Sequence, residues 1–296
     1  LGDWFDIGPE SPGESQLTSN GVTATAIYYY DVTLMEKMAN LLGKPDDARK
    51  YQELAARIKQ AFNRTFWNPS TRTYDRNSQA ANAVALYMGL TTPENRQQVF
   101  DNLIADIRGR NNAGYRYVLR ALEAGGASDV IYDMNCKYDT PGYGWQLAHG
   151  ATALTESWQA YGFVSNNHFM LGHLMEWLFS GLGGIRQKED SFGFKHIVIK
   201  PEPVGDVRDA QVSYESPYGQ IVSDWKDNDK EFIIRVEVPA NSKASVYLPS
   251  ADTKQITESG VRLEDVPGIS CKQEGNRYVV ATTGSGTYTF KVKKNK

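Results

Sequence analysis

The sequence is poor in the residues that build several common kinds of site. It has two cysteines, Cys136 and Cys271, far apart and outside any CxxC pattern, which excludes a cysteine metal cluster and a dithiol redox motif. Two ordinary thiols are expected. Its four histidines are His149, His168, His173 and His196. None has metal-ligand spacing, since His168 and His173 would fall on different faces of a helix. No metal and no cofactor is expected. Nucleophile elbow, phosphate loop and dinucleotide fingerprint are all missing. No apolar run approaches the roughly 18 residues of a membrane span. The net charge is -3, and the tail Lys291 to Lys296 is the one dense basic run, so nucleic acid is not an expected partner. The chain opens at "LGDWFD" with no initiator Met, basic n-region or apolar h-region. A fragment is expected from that, and the compartment is not readable.

What is present is a core-forming composition. Of 296 residues, 41% are hydrophobic, enough for one large domain or two ordinary ones. From about Thr18 to Ser180 the period is helical. "TATAIYYYDVTLMEKMANLLG" puts Ile27, Leu34, Met38 and Leu41 on one stripe, and Gly43 stops it. "KPDDARKYQELAARIKQAFNRTFW" follows with Pro45 at the helix start, acids in the first turn, and a stripe of Tyr51, Leu54, Ile58 and Phe62. The two make an antiparallel hairpin. "QAANAVALYMGL", "TPENRQQVFDNLIADI", "AGYRYVLRALEAGG", "ASDVIYDMN" and "NNHFMLGHLMEWLFSGLGG" continue the run, and helix pairs repeated this regularly predict an α/α toroid or a helical solenoid. Past Gly184 the period becomes alternating: "KHIVIKPEP", "EFIIRVEVPANSKASVYLP" and "NRYVVATTGSGTYTFKVK" are β-branched and aromatic runs broken at Pro, Gly and Asn. The expected fold is therefore multidomain, an α/α toroid over 1–184 and an antiparallel β-sandwich over 185–296.

Two stretches carry candidate chemistry. In "GATALTESW" one acid, Glu156, stands among small, hydroxylated and aromatic neighbours. With Thr152 as N-cap it falls near the end of a helix's first turn, where the dipole favours the anion and so suits a base. A capping-box glutamate would need Ser or Thr at the position of Ala153. Single acids on helices commonly face solvent, so that reading stays open beside the catalytic one. In "GDWFDIGPESPGE", Asp3, Asp6, Glu10 and Glu14 surround Trp4 and Phe5, and acids beside an indole suit a sugar: carboxylates accept from hydroxyls while the ring covers a C–H face. Asp3 and Trp4 are retained, whereas Glu14 stands three residues after Ser11 in capping-box spacing. His168, in "SNNHF", is a candidate polar contact and equally a structural histidine. Trp145, read as preceding the Glu156 helix, could line a pocket. Trp158 points away from Glu156 and is expected in the core.

"PGYGWQLAHGATALTESW", "SNNHFMLGHLMEWLFSGLGGI" and "GFKHIVIKPEPVGDVRDAQVSYESPYGQI" resemble, in that order, the C-terminal half of the α-L-rhamnosidases of glycoside hydrolase family 78. The likeness implies an (α/α)6 toroid holding the active site, then a β-sandwich, and inverting removal of terminal α-L-rhamnose from rhamnosides or plant polysaccharides. By resemblance Glu156 is the general base, and His168 and Trp4 contact bound rhamnose. Secretion or a periplasmic location follows only from the usual role of such enzymes. Three departures matter. Ser157 stands where Arg is common. The family's Asp-Glu-Arg segment carrying the general acid has no match here, and about eight helical segments are fewer than six hairpins need. The stretch "GRNNAGYRYV" is also shorter than in the family. Competing readings are a non-catalytic carbohydrate-binding fragment, another toroid enzyme such as a polysaccharide lyase, and a helical-repeat scaffold. The lyase reading wants a cation beside the centre, and the sequence around Glu156 has none.

Overall fold

The computed structural model describes residues 2–110 and 116–294. It divides into two compact units, Leu1–Gly172 and His173–Lys296.

The first unit is helical. Helix α1, Asn20–Leu41, and α2, Pro45–Phe66, form a hairpin. Gly43 sits at φ 66°, and the Lys44 N–H returns to the Ala39 carbonyl, the closing bond of a glycine-capped helix end. Pro45 opens α2 with Asp46 and Asp47 in its first turn, where an anion complements the helix dipole. Ile58 and Phe62 are buried as their stripe predicts. On α1 the expected stripe is corrected: Val22, Ala26, Val32 and Ala39 are the buried residues, and Ile27, Met38 and Leu41 are exposed. The hairpin packs Val32 against Ala55 and Ile58, with Tyr29, Tyr51 and Leu54 around them.

Two short strands, β1 at Trp67–Asn68 and β2 at Thr73–Tyr74, pair after α2. Helix α3, Gln79–Tyr87, has every residue from Ala80 to Leu86 buried, as its alanine-rich sequence allows. Helices α4 (Pro93–Arg110), α5 (Arg116–Ala124), α6 (Ser128–Asn135) and α7 (Tyr143–Ala148) complete the run. The expected start of α5 at Ala113 and the shortened stretch before it fall on residues 111–115, outside the described residues.

The segment around Glu156 is the main departure. No helix forms between α7 and a single 3-10 turn at Phe169–Leu171, so Thr152 caps nothing, and Trp145 lies within α7 rather than in a loop ahead of a helix. The physical reason is competition for backbone groups. The Gln146 amide donates to the carbonyls of Ser157 and Trp158, the Glu156 N–H donates to the Ser165 carbonyl, and the Leu154 carbonyl accepts from the His168 N–H. These long-range bonds consume donors and acceptors that a helix would pair within itself.

In the second unit, the expected helix from Asn166 is likewise interrupted: α8 spans only Leu174–Trp177, followed by a π-helical turn at Leu178–Leu182. Gly184 then adopts φ 75°, and a Cβ there would stand 2.1 Å from the Pro201 nitrogen, so only glycine fits. The strands are β3 (Ile185–Gln187), β4 (His196–Ile199), β5 (Asp209–Ser216), β6 (Gly219–Asp227), β7 (Glu231–Val238), β8 (Lys243–Leu248), β9 (Ile256–Glu258), β10 (Val261–Arg262), β11 (Ser270–Glu274), β12 (Tyr278–Thr283) and β13 (Gly286–Lys293). One sheet has the order β10-β9-β13-β7-β6-β5, the other β11-β12-β8-β4-β3. Both contribute to one core, with Ile197, Val246 and Val279 from the second sheet meeting Trp225, Ile234 and Phe290 from the first. The alternation of β7, with every second residue buried, is the two-residue period of its sequence made physical. The antiparallel expectation needs one correction: β4 and β8 pair in parallel, His196 opposite Lys243. The chain between them builds β5 to β7, and so long a crossover leaves direction free where a hairpin would fix it. Among the described residues no helix is long and apolar enough to cross a membrane.

Candidate active site

The loop ahead of α1 folds on its own carboxylate. Asp6 Oδ2 accepts from the Gln16 and Leu17 backbone N–H groups at 2.9 and 2.6 Å, and the Phe5 N–H donates to the Gly13 carbonyl. Asp6 therefore builds the loop. Phe5 pays a left-handed φ of 57° and is buried edge-on to Trp4, centroids 5.1 Å apart. No helix begins at Ser11, so the capping-box account of Glu14 fails, and Glu14 is exposed.

Asp3 is the chemically unusual member of this loop. It is 7% exposed, and its Oδ2 accepts from Thr18 Oγ1. Burial, and then the charge of Asp6, push its carboxyl up to about 7, against a lowering by the Thr18 hydroxyl. A buried carboxyl without a cation partner keeps its proton because the charged form loses most by leaving water. Asp3 and Trp4 line a cavity of about 170 Å³ together with Phe5, Arg76, Asp106 and Trp158. Arg76 donates to the Gln16 carbonyl, and Asp106 accepts from Gln79 at the start of α3.

Glu156, His168 and Trp145 form a second group. Glu156 is half-buried; its backbone N–H donates to the Ser165 carbonyl at 2.9 Å, and its Oε2 accepts from the Ser165 N–H at 3.1 Å. One oxygen of its carboxyl group is thus held by the loop. His168 Nδ1 accepts from the Met170 N–H at 3.0 Å, so the nitrogen that can donate is Nε2. Trp145 stacks on His149 with centroids 4.1 Å apart. Glu156 and His168 are tied to one loop by the bonds at Ser165 and Leu154. None of these three lines the cavity of Asp3 and Trp4. The loop that carries Glu156 reaches the cavity through Trp158, buried as expected and part of the cavity wall, and its Tyr161 ring lies 6.5 Å from that of Phe5.

Sequence reasoning missed the residues that hold these groups. Gln146 is buried, and its amide also reaches Thr155 Oγ1 at 2.8 Å; nothing in its neighbourhood marks it. Ser78 was not singled out, although a serine just ahead of "QAANAVALY" is a helix-cap signal, and its bond to Thr18, sixty residues away, leaves no local trace. Among the described residues no group of three or more His, Cys, Asp or Glu could hold a metal, and both cysteines are free.

A helical unit with a buried acid, Asp3, and aromatic residues in its loops is followed in the chain by two sheets around one core. Family models match in that order: the bacterial alpha-L-rhamnosidase six-hairpin glycosidase domain over residues 1–182 and the bacterial alpha-L-rhamnosidase C-terminal domain over residues 184–262. The chain belongs to the bacterial α-L-rhamnosidase family. An α-L-rhamnosidase of Formosa agariphila is 24% identical over 98% of this chain and 33% of its own length. The solved α-L-rhamnosidase of Dictyoglumus thermophilum superposes with a TM-score of 0.88 at 30% identity, covering 99% of this chain and 34% of that one. That of Streptomyces avermitilis, complexed with L-rhamnose, gives 0.84 at 26% identity, over 98% and 28%. The chain spans about a third or less of these relatives.

Proposed function

We propose that this chain is the C-terminal part of an inverting α-L-rhamnosidase: residues 1–184 a portion of an (α/α)6 toroid, residues 185–296 a β-sandwich. The break between the two family matches, at 182 and 184, supports that boundary. The substrate class is a glycoside or oligosaccharide ending in α-L-rhamnose. The observation that carries the reading is Glu156, a carboxylate with one oxygen fixed by the Ser165 N–H within the domain matched to a glycosidase family.

In an inverting reaction two carboxyls stand roughly 6.5–9.5 Å apart with water on the base side. Glu156 takes the proton from that water as its oxygen attacks the anomeric carbon, and the general acid protonates the departing glycosidic oxygen. We assign the acid, and the remaining barrel helices, to sequence outside this chain, which is consistent with its share of the relatives' length. Trp4 covers the apolar face of the sugar, Asp3 and the His168 Nε2–H bind hydroxyls, and Trp145 lines the approach. The test is hydrolysis of p-nitrophenyl α-L-rhamnopyranoside by this chain and by a version extended upstream, beside an L-rhamnose titration of both. Turnover in the extended protein alone supports the assignment. Rhamnose binding without turnover in either makes this a carbohydrate-binding unit instead, and neither binding nor turnover in two folded proteins overturns rhamnose as the ligand.

A further inference from the structure

Three side chains, each more than nine-tenths buried, join the loop of Asp3 to the start of α3: Asp3, Thr18 and Ser78. Ser78 caps the helix by accepting the Ala81 N–H at 3.0 Å. Its own hydroxyl proton is then available, and Thr18 Oγ1 lies 2.7 Å away. Thr18 in turn has one proton to give, and it reaches Asp3 Oδ2 at 3.4 Å. The order of donors follows from counting protons. Were Thr18 to donate to Ser78, the Ser78 proton would lack an acceptor among the described residues, and a buried hydroxyl left so costs about 1–3 kcal/mol. The row therefore runs one way, from the Ala81 amide through Ser78 and Thr18 into Asp3 Oδ2.

We infer that Thr18 and Ser78 are positioning residues for Asp3: their directional hydroxyl row keeps Oδ2 an acceptor and turns Oδ1 to the ligand, as an O–H donor when Asp3 is protonated and as an acceptor when it is ionised. The inference rests on the reading of Asp3 as a substrate contact. The charged groups around the cavity are Asp6 from the same loop, Arg76 ahead of α3 and Asp106 from α4. Of these, Asp6 alone acts on the Asp3 carboxyl enough to move it, and it opposes Thr18. A hydroxyl row that donates to the carboxylate favours the ionised form. Loss of the Thr18 hydroxyl therefore leaves Asp3 protonated to higher pH and frees the carboxyl to rotate.

The experiment is carbonyl-carbon NMR of the 296-residue chain labelled in its aspartate carboxyls, with Asp3→Asn assigning the Asp3 signal, titrated from pH 4 to 9. Thr18→Val should move the Asp3 midpoint up by about one pH unit, Ser78→Ala should move it less in the same direction, and Thr18→Ser should restore it. L-rhamnose titrated into the same proteins near neutral pH should bind about three- to tenfold more weakly to Thr18→Val and normally to Thr18→Ser. A purely structural threonine would not move the midpoint of one assigned carboxyl, so an unmoved midpoint in Thr18→Val overturns the inference. If Thr18→Val does not fold, an unmoved midpoint in Ser78→Ala does the same. Midpoints that move in a chain that binds no rhamnose support the row and count against the rhamnose reading of the site.

Discussion

Glu156 and Asp3 are both acids beside aromatic residues, and they sit in different surroundings. Glu156, the proposed base, is half-buried with a backbone donor on one oxygen. Glu156→Gln, made in the extended protein, should lower turnover of p-nitrophenyl α-L-rhamnopyranoside by about 10²–10⁴ while the affinity for L-rhamnose stays within a few-fold; near-normal turnover would remove Glu156 from the base role. Asp3 is raised from 3.8 to about 7, so the folded chain binds its proton more tightly than the unfolded one. That contribution to stability is present in full below the unfolded value near 3.8 and is lost as pH rises through the folded midpoint. The loss between pH 4 and 7 is about 3 kcal/mol. Urea unfolding of wild type and Asp3→Asn should therefore converge or cross as pH rises, because the asparagine carries no such term; parallel profiles would contradict a buried protonated Asp3. The residue types at both positions were legible in the sequence. The protonation of Asp3 was not, because desolvation depends on walls contributed by Phe5, Trp158 and residues near α3.

At the scale of elements, periodicity located the helices of the hairpin and the strands, and it misread the loop that is held from afar. The α1–α2 hairpin and the alternation of β7 follow from spacing, proline and glycine alone. The Glu156 segment reads as a helix in sequence and is a loop because Gln146, on α7, reaches Thr155, Ser157 and Trp158 at once. Gln146→Leu removes those donors at nearly constant volume. It should destabilise the first unit by about 2 kcal/mol and lower turnover in the extended protein, measured by thermal unfolding and by kcat. Unchanged kcat with the expected loss of stability would show that the loop does not position Glu156. On α1 the residues buried within this chain include Ala26 and Ala39, whereas Ile27, Met38 and Leu41 of the expected stripe are exposed.

For the whole molecule, the two units rest on different kinds of core. The second is built around Trp225, fully buried with its indole N–H donating to the Leu182 carbonyl at 2.9 Å. Trp225→Ala should cost about 3–5 kcal/mol, read as a lowered unfolding transition of the β unit; a loss under 1 kcal/mol would show that the sheets close without it. The sequence by itself determined the division into a helical and a β part, the family, and the residue types that suit a sugar, because these depend on local spacing, β-branched composition and short contiguous motifs. Tertiary structure alone decided that Glu156 sits on a loop, that β4 runs parallel to β8, that Asp6 serves the backbone, and that Asp3 is coupled through Thr18 to the cap of α3. Each of those outcomes turns on a hydrogen bond or a strand pairing between residues distant in the chain, and local sequence holds no record of which distant partner will arrive.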